Sequence, residues 1–277
     1  MNYRTCPPGE VLTVQNEKNN LKVLGSAYSS VGMVRGNNED NIELWALDDD
    51  AVLALVADGM GGAAGGEEAS KLAVQTVQAD FVDATPDSSA LQGLDENALA
   101  QQLRNVLGSA NRVVWDAAAQ NVELQGMGST ATLVLVRGME AVFAHIGDSR
   151  AYVVEGDSRE IQQVTSDHSF VEALVASGHL TQEQADVHPL KNVLYRALGQ
   201  KDDAESDVDI YHRTLKIGDR IILCSDGLTR HLKNQDIATI ALGSDDPKSV
   251  ARQLVDLANS RGGEDNVSTV VLIVTPL

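Results

Sequence analysis

The sequence predicts an α+β fold in which mainly antiparallel sheets are covered by long helices. Three observations carry that expectation. Apolar runs of strand length recur along the chain, several connections between them are too short for a parallel crossover, and two long segments repeat their apolar residues at helical spacing.

Taken in chain order, residues 1–24 read as a tail outside the fold, with Pro7-Pro8-Gly9 and then Asn16-Glu17-Lys18-Asn19-Asn20. Strands are expected at Ile42–Leu47 and Ala51–Ala57, and Asp48-Asp49-Asp50 between them leaves room only for a hairpin. Ala69, Leu72, Ala73, Thr76, Val77 and Phe81 recur on one helical face. A loop rich in Ser, Asp and Gly follows from about Asp83 to Asn97. Leu99, Leu103, Val106, Leu107, Ala110, Val113, Val114 and Ala117 then mark a second helix. Strands Thr130–Val136 and Ala141–Ile146 are joined tightly around Arg137-Gly138, and Ala151–Val154, Val208–Tyr211 and Arg220–Cys224 follow. A helix from about Pro247 to Arg261 takes Asp246 as N-cap and Pro247 at its first position, before a last strand at Val267–Val274. No repeat or linker divides the rest, so 25–277 reads as one domain.

Composition narrows the partners. Aromatics are only 4% of the chain, so the core must be built from Val, Leu, Ile and Ala. A net charge of −19 repels nucleic acid phosphates and anionic lipid, which sets aside both as partners. Cys6 and Cys224 form no ligand pattern, and Cys224, in Ile221-Ile222-Leu223-Cys224, reads as a small core residue. Met1 to Leu24 lacks the apolar core of a signal peptide, and no apolar run approaches membrane-span length. The expectation is a monomer in a reducing, cytoplasmic compartment.

Acidic residues gather where strands end. Three apolar strands run into Asp58, Asp148 and Asp226, and two more begin after Glu39-Asp40 and Glu264-Asp265. A hairpin turning at residues 48–50 sets Asp40 beside Asp58. Asp265 reaches the rim of Asp226 if the last strand runs antiparallel to 220–224. Acidic residues suit turns, so any one of these is explained by turn chemistry alone. Five on one rim repel unless cations lie between them, and an all-oxygen set favours Mg²⁺ or Mn²⁺ over Zn²⁺. Arg35, five residues before Asp40, is a candidate for bidentate phosphate binding.

With these residues in view, the sequence resembles the type 2C (PPM) metal-dependent protein phosphatases, the bacterial branch in particular. The matching stretches are Val34-Arg-Gly-Asn-Asn-Glu-Asp40, Val56-Ala-Asp-Gly-Met-Gly-Gly62 with Glu68-Ala-Ser70, and Gly128-Ser-Thr-Ala-Thr132. His145-Ile-Gly-Asp-Ser-Arg150, Thr165-Ser-Asp-His-Ser169, His188-Pro-Leu-Lys-Asn-Val-Leu194, Cys224-Ser-Asp-Gly-Leu228 and Asp265-Asn266 follow in order. The resemblance implies a four-layer α-β-β-α sandwich with two mainly antiparallel sheets. It implies that phosphoserine and phosphothreonine proteins are the substrates and that a cognate Ser/Thr kinase is a partner. Asp58 would bridge two Mn²⁺ or Mg²⁺ ions, the carbonyl of Gly59 would join one, and Asp226 and Asp265 would complete the other. Glu39 and Asp40 would act through metal-bound waters, Asp148 with Asp226 would match a possible third ion, and Arg35 would grip the phosphate. Residues 166–192 would form a mobile flap associated with substrate handling. Two such ions about 3.5–4 Å apart lower a bridging water's pKa to about 7, which supplies a nucleophile for in-line attack on phosphorus.

The chain departs from the family pattern at Met60 and Ala63, where many relatives carry His, so the general acid is unassigned. His168 is a candidate acid, with local hydrogen bonding as its plainer role, and the stripe Phe170, Leu174, Val175 reads as flap packing rather than substrate binding. Thr181-Gln-Glu-Gln184 reads as a capping box. Gly59-x-Gly61-x-x-Ala64 imitates a dinucleotide-binding turn, but Asp58 and the preceding hairpin argue against it. A non-catalytic phosphoprotein-binding module on the same fold would predict loss of Asp58, Asp226 or Asp265, and all three are present.

Overall fold

The computed structural model describes residues 3–47, 51–62, 65–85, 91, 93–201 and 207–277. The strands are β1 (Tyr3–Thr5), β2 (Leu12–Asn16), β3 (Leu21–Ser30), β4 (Asp40–Leu47), β5 (Ala51–Met60), β6 (Gly128–Ser129), β7 (Ala131–Arg137), β8 (Glu140–Ile146), β9 (Arg150–Val154), β10 (Ile161–Gln163), β11 (Asp209–Thr214), β12 (Arg220–Cys224) and β13 (Val267–Pro276). The helices are α1 (Gly65–Val77), α2 (Glu96–Gln120), α3 (Phe170–Ala176), α4 (Gln182–Asp186), α5 (Asp226–Thr229), α6 (Asn234–Ala241) and α7 (Pro247–Ser260). One sheet has the order β1-β4-β5-β7-β8-β11 with β6 on β5, and the other has β10-β9-β12-β13-β3-β2. Every strand pairing among the described residues is antiparallel.

Side-chain alternation builds the layers. β5 is apolar at nearly every position because both its faces are covered. Val52, Ala54 and Val56 meet Leu223, Val270 and Leu272 of the opposing sheet in the central core. Leu53, Leu55 and Ala57 meet Ala73 and Val77 of α1 and Leu103 and Leu107 of α2. On the far side, Tyr152, Ile222 and Val271 pack under Ile237 of α6 and Val250, Leu254 and Val255 of α7. Burying each such aliphatic side chain contributes about 1.5–3 kcal/mol. The result is the expected four-layer α-β-β-α sandwich. Asp246 caps α7 by accepting from Lys248 N, with Pro247 in its first turn, as its sequence predicts.

The reading of residues 1–24 as a tail outside the fold is corrected. β1 pairs with β4, β2 pairs with β3, and β3 runs along the whole of β13. Leu12, Val14, Leu21 and Val23 are buried at alternate positions. The Asn-rich run is the turn of the β2–β3 hairpin, with Asn20 at φ +52°, a conformation Asn tolerates. The helix predicted to reach Phe81 is α1 continued by a wider turn of helix at Gln78–Val82. The expected turn at 48–50, residues 86–90 and 92 of the expected loop, and Ala63 and Ala64 lie outside the described residues.

Candidate metal centre

The two sheets meet at one rim, and the chain itself crosses there. β8 belongs to the first sheet and β9 to the second, with Gly147-Asp148-Ser149 between them. In the β4–β5 hairpin Asp40 stands opposite Asp58, as the sequence spacing requires. Asp226 opens α5 directly after β12, and Asp265 lies two residues before β13. Antiparallel pairing of those strands, with Cys224 opposite Thr269, brings both to the same edge. Two hydroxyls link the sheets. Ser225 Oγ donates to Asp40 Oδ2 at 2.8 Å while accepting from Ser268 N at 3.0 Å. Thr130 Oγ1 accepts from Asp58 N at 3.0 Å and shares a 2.8 Å bond with Ser149.

Close backbone packing fixes the rest of the rim. Gly59 N donates to Glu39 O at 3.1 Å, and a Cβ on Gly59 would fall 1.9 Å from the Gly66 carbonyl at the start of α1. Only glycine permits that approach. Ser70 of α1 donates to the same Glu39 carbonyl at 2.5 Å. Asn266 holds the loop that carries Arg35: its Nδ2 donates to Val31 O at 2.9 Å and Asn37 O at 2.8 Å, and its Oδ1 accepts from Glu39 N at 2.8 Å.

The electrostatics are those of a carboxylate cluster removed from water. Burial pushes Asp58 well above the usual carboxylate range, and Asp40, Asp226, Asp148 and Asp265 add to it. Burial raises Asp148 likewise, with Asp226 and Asp167 adding and Arg230 and Arg150 opposing. Asp40 is pushed up to about 7 by burial first, against hydrogen bonds from Ser268 and Ser225. Burial raises Asp226 against the pull of Arg230, and raises Glu39 against that of Arg35. Two guanidinium groups stand at the open side. Arg35 Nη2 lies 2.9 Å from Asp265 Oδ2, and Arg230 spans Asp226 and Asp265. No three carboxylates among the described residues have closed into a ready coordination shell. The donors are all oxygen and the buried charge is one-signed, which suits a hard divalent cation.

The structure therefore brings Arg35, Glu39, Asp40, Asp58, Gly59, Asp148, Asp226 and Asp265 to one rim. Sequence reasoning missed Arg230, whose spacing of four from Asp226 was the available signal, and the hydroxyls of Ser225 and Thr130. His168 takes the local role. It is buried, its Nδ1 accepts from Gly147 N at 3.1 Å, and its Nε2 lies 3.1 Å from Asp209 Oδ2. Met60 stands opposite Gly128 in the β5–β6 pairing and carries no transferable proton. The expected flap contains α3 and α4, and Thr181 caps α4 reciprocally with Gln184. His168 N donates to Gly147 O at 2.7 Å, which ties the flap's start to the Asp148 turn.

Comparison with known proteins identifies the family. Residues 34–264 match the family described as protein phosphatase 2C. The serine/threonine phosphatase stp of Listeria welshimeri serovar 6b is 34% identical over 242 residues, covering 87% of this chain and 92% of that protein. The crystal structure of the Mycobacterium tuberculosis serine/threonine phosphatase PstP/Ppp has 33% identity and a TM-score of 0.77, covering 91% of this chain and 98% of that one. The catalytic domain of the serine/threonine protein phosphatase PstP in complex with two manganese ions has 32% identity and a TM-score of 0.75, covering 92% and 99%. The chain belongs to the protein phosphatase 2C family, in its bacterial branch, and is a metal-dependent phosphoprotein phosphatase.

Proposed function

We propose that this protein phosphatase 2C enzyme hydrolyses phosphoserine and phosphothreonine in proteins by water attack at a binuclear Mn²⁺ or Mg²⁺ centre. The observation that carries the reading is the meeting of buried carboxylates from both sheets at one rim, with Arg35 ion-paired to Asp265 at its open side. Asp58, the Gly59 carbonyl, Asp226 and Asp265 would hold the two ions, Glu39 and Asp40 would act through water, and Asp148 would serve a weaker third ion. When bound, the ions supply an activated water and positive charge for the phosphoryl oxygens.

The chain's own residues do the rest. Arg35 leaves Asp265 to hold the phosphoryl group with paired N–H donors, and Asn266 keeps its loop in place. Ser225 orients Asp40 through its hydroxyl. Met60 has no proton to give and His168 is committed at both nitrogens, so the leaving alkoxide takes its proton from water. Met33 and Val34, each 69% exposed beside Arg35, and the exposed flap residues Val187 and Leu190 offer apolar surface to the polypeptide around the phosphorylated residue. A cognate Ser/Thr kinase, a cytoplasmic setting and a monomeric state complete the reading. No helix among the described residues is long and apolar enough to cross a membrane.

The test is hydrolysis of a phosphothreonine peptide with Mn²⁺, with EDTA, and by Asp58→Asn. Turnover that needs Mn²⁺ and is lost in both controls is expected. Folded wild-type protein that turns over no phosphopeptide with any divalent ion would sink the enzyme mechanism and favour phosphoprotein binding.

A further inference from the structure

Arg230 stands at the rim with contacts that the proposed reaction leaves unused. Asp226 and Arg230 lie one helical turn apart, acid first, the order that favours an ion pair along a helix. Arg230 Nε lies 3.0 Å from Asp226 Oδ2, and its Nη2 contacts the same oxygen. Its Nη1 lies 3.2 Å from Asp265 Oδ2, the atom that Arg35 also contacts at 2.9 Å. One guanidinium therefore spans the two carboxylates that the preceding reading assigns to a single ion.

We infer that Arg230 is a tethered competitor of the divalent ion at Asp226 and Asp265. The inference rests on the metal-centre reading above. A divalent ion needs the same carboxylate oxygens and offers the same neutralisation, so ion and guanidinium exclude each other there. Arg35 is half exposed on a loop and swings away easily, whereas Arg230 is 28% exposed and directly follows the short helix that Asp226 itself begins. Loading must first displace it. Measured affinity is then the intrinsic affinity multiplied by the fraction of molecules in which Arg230 stands aside. The arginine keeps the cluster neutralised in the metal-free protein and sets the ion concentration at which the centre fills. A purely structural ion pair on α5 would leave ion affinity unmoved.

Isothermal titration of metal-stripped full chain with MnCl₂ tests this on the wild type, Arg230→Gln and Arg230→Lys, with thermal melting of each metal-free protein. If Arg230 stands aside in about a tenth of molecules, Arg230→Gln binds Mn²⁺ about tenfold more tightly, and its metal-free form melts at lower temperature. Arg230→Lys keeps the charge without the planar fork and falls between the two. Equal or weaker Mn²⁺ binding by folded Arg230→Gln overturns the inference and leaves the metal centre standing. If Arg230→Gln does not fold without metal, Arg230→Lys decides, since binding no tighter than wild type overturns it equally. No Mn²⁺ binding by any of the three overturns the metal centre, and this inference with it.

Discussion

His145 shows how a single buried residue sets a pH dependence. Its Nδ1 lies 2.9 Å from Thr132 Oγ1 and its Nε2 3.2 Å from the Ser166 carbonyl, so Nε2 carries the proton and Nδ1 accepts. Burial first, then the nearby His168, lowers its pKa from the ordinary 6.5 to about 3, while Asp209 opposes. Between those values the unfolded chain binds a proton that the folded chain refuses. The stabilising contribution is therefore present above about 6.5 and is lost as pH falls toward about 3. Replacing His145 with Gln removes this dependence. The stability advantage of wild type over His145→Gln, from urea unfolding at a series of pH values, should shrink steadily below about pH 6.5; an advantage independent of pH would contradict the account. His145 was legible only as part of a motif, because its partners Thr132 and Ser166 come from another strand and a loop. The aspartates were legible because ending a strand is a local property. Arg230 carried only the weak signal of its spacing from Asp226, since its contacts appear only once α5 is known to begin there.

At the scale of elements the informative case is the N-terminal hairpin. β3 pairs with β13 over its full length and β2 closes the sheet edge, so Leu12, Val14, Leu21 and Val23 form part of the central core. Their alternation is present in the sequence, but it is short and interrupted by a polar turn whose Asn-rich composition dominates the segment. The long helices and apolar central strands were read correctly because both faces of a buried strand, or one face of a long helix, repeat a pattern many times. The short helices α3 to α6 repeat theirs too few times to stand out. Deleting residues 1–24 removes these four side chains from the core, takes away β2 and the first part of β3, and leaves residues 273–276 of β13 without their β3 partners. At about 1.5–3 kcal/mol for each side chain the loss is about 6–12 kcal/mol, comparable with the entire stability of an ordinary domain. The truncated chain should not give a cooperative urea transition. A transition matching that of the full chain would restore the tail reading.

At the scale of the whole molecule, the net charge of −19 and the buried carboxylates act together. Self-repulsion weakens the compact state, and the rim concentrates that repulsion where both sheets and the chain crossing at Gly147–Ser149 converge. The four-layer architecture explains why the aspartates must be there. The hairpin ends of two stacked sheets share one edge, so positive charge between them offsets the repulsion of the gathered carboxylates. The gathering of the aspartates at one rim was legible from strand-end spacing, but the stacking that joins the two halves was not, because it depends on contacts such as Ser225 to Asp40 across 185 residues. A ligand bound only by the folded state stabilises it by about 2.7 kcal/mol at a hundredfold excess over its dissociation constant. For a chain of this size that raises the melting temperature by about 5–10 °C. Melting with saturating Mn²⁺ should show that rise, EDTA should reverse it, and Asp58→Asn should blunt it because that carboxylate lies between the others. An unchanged melting temperature in the wild type would mean that the rim is held by Arg35 and Arg230 alone, and that the buried aspartates are tolerated as neutral acids rather than neutralised by bound ions.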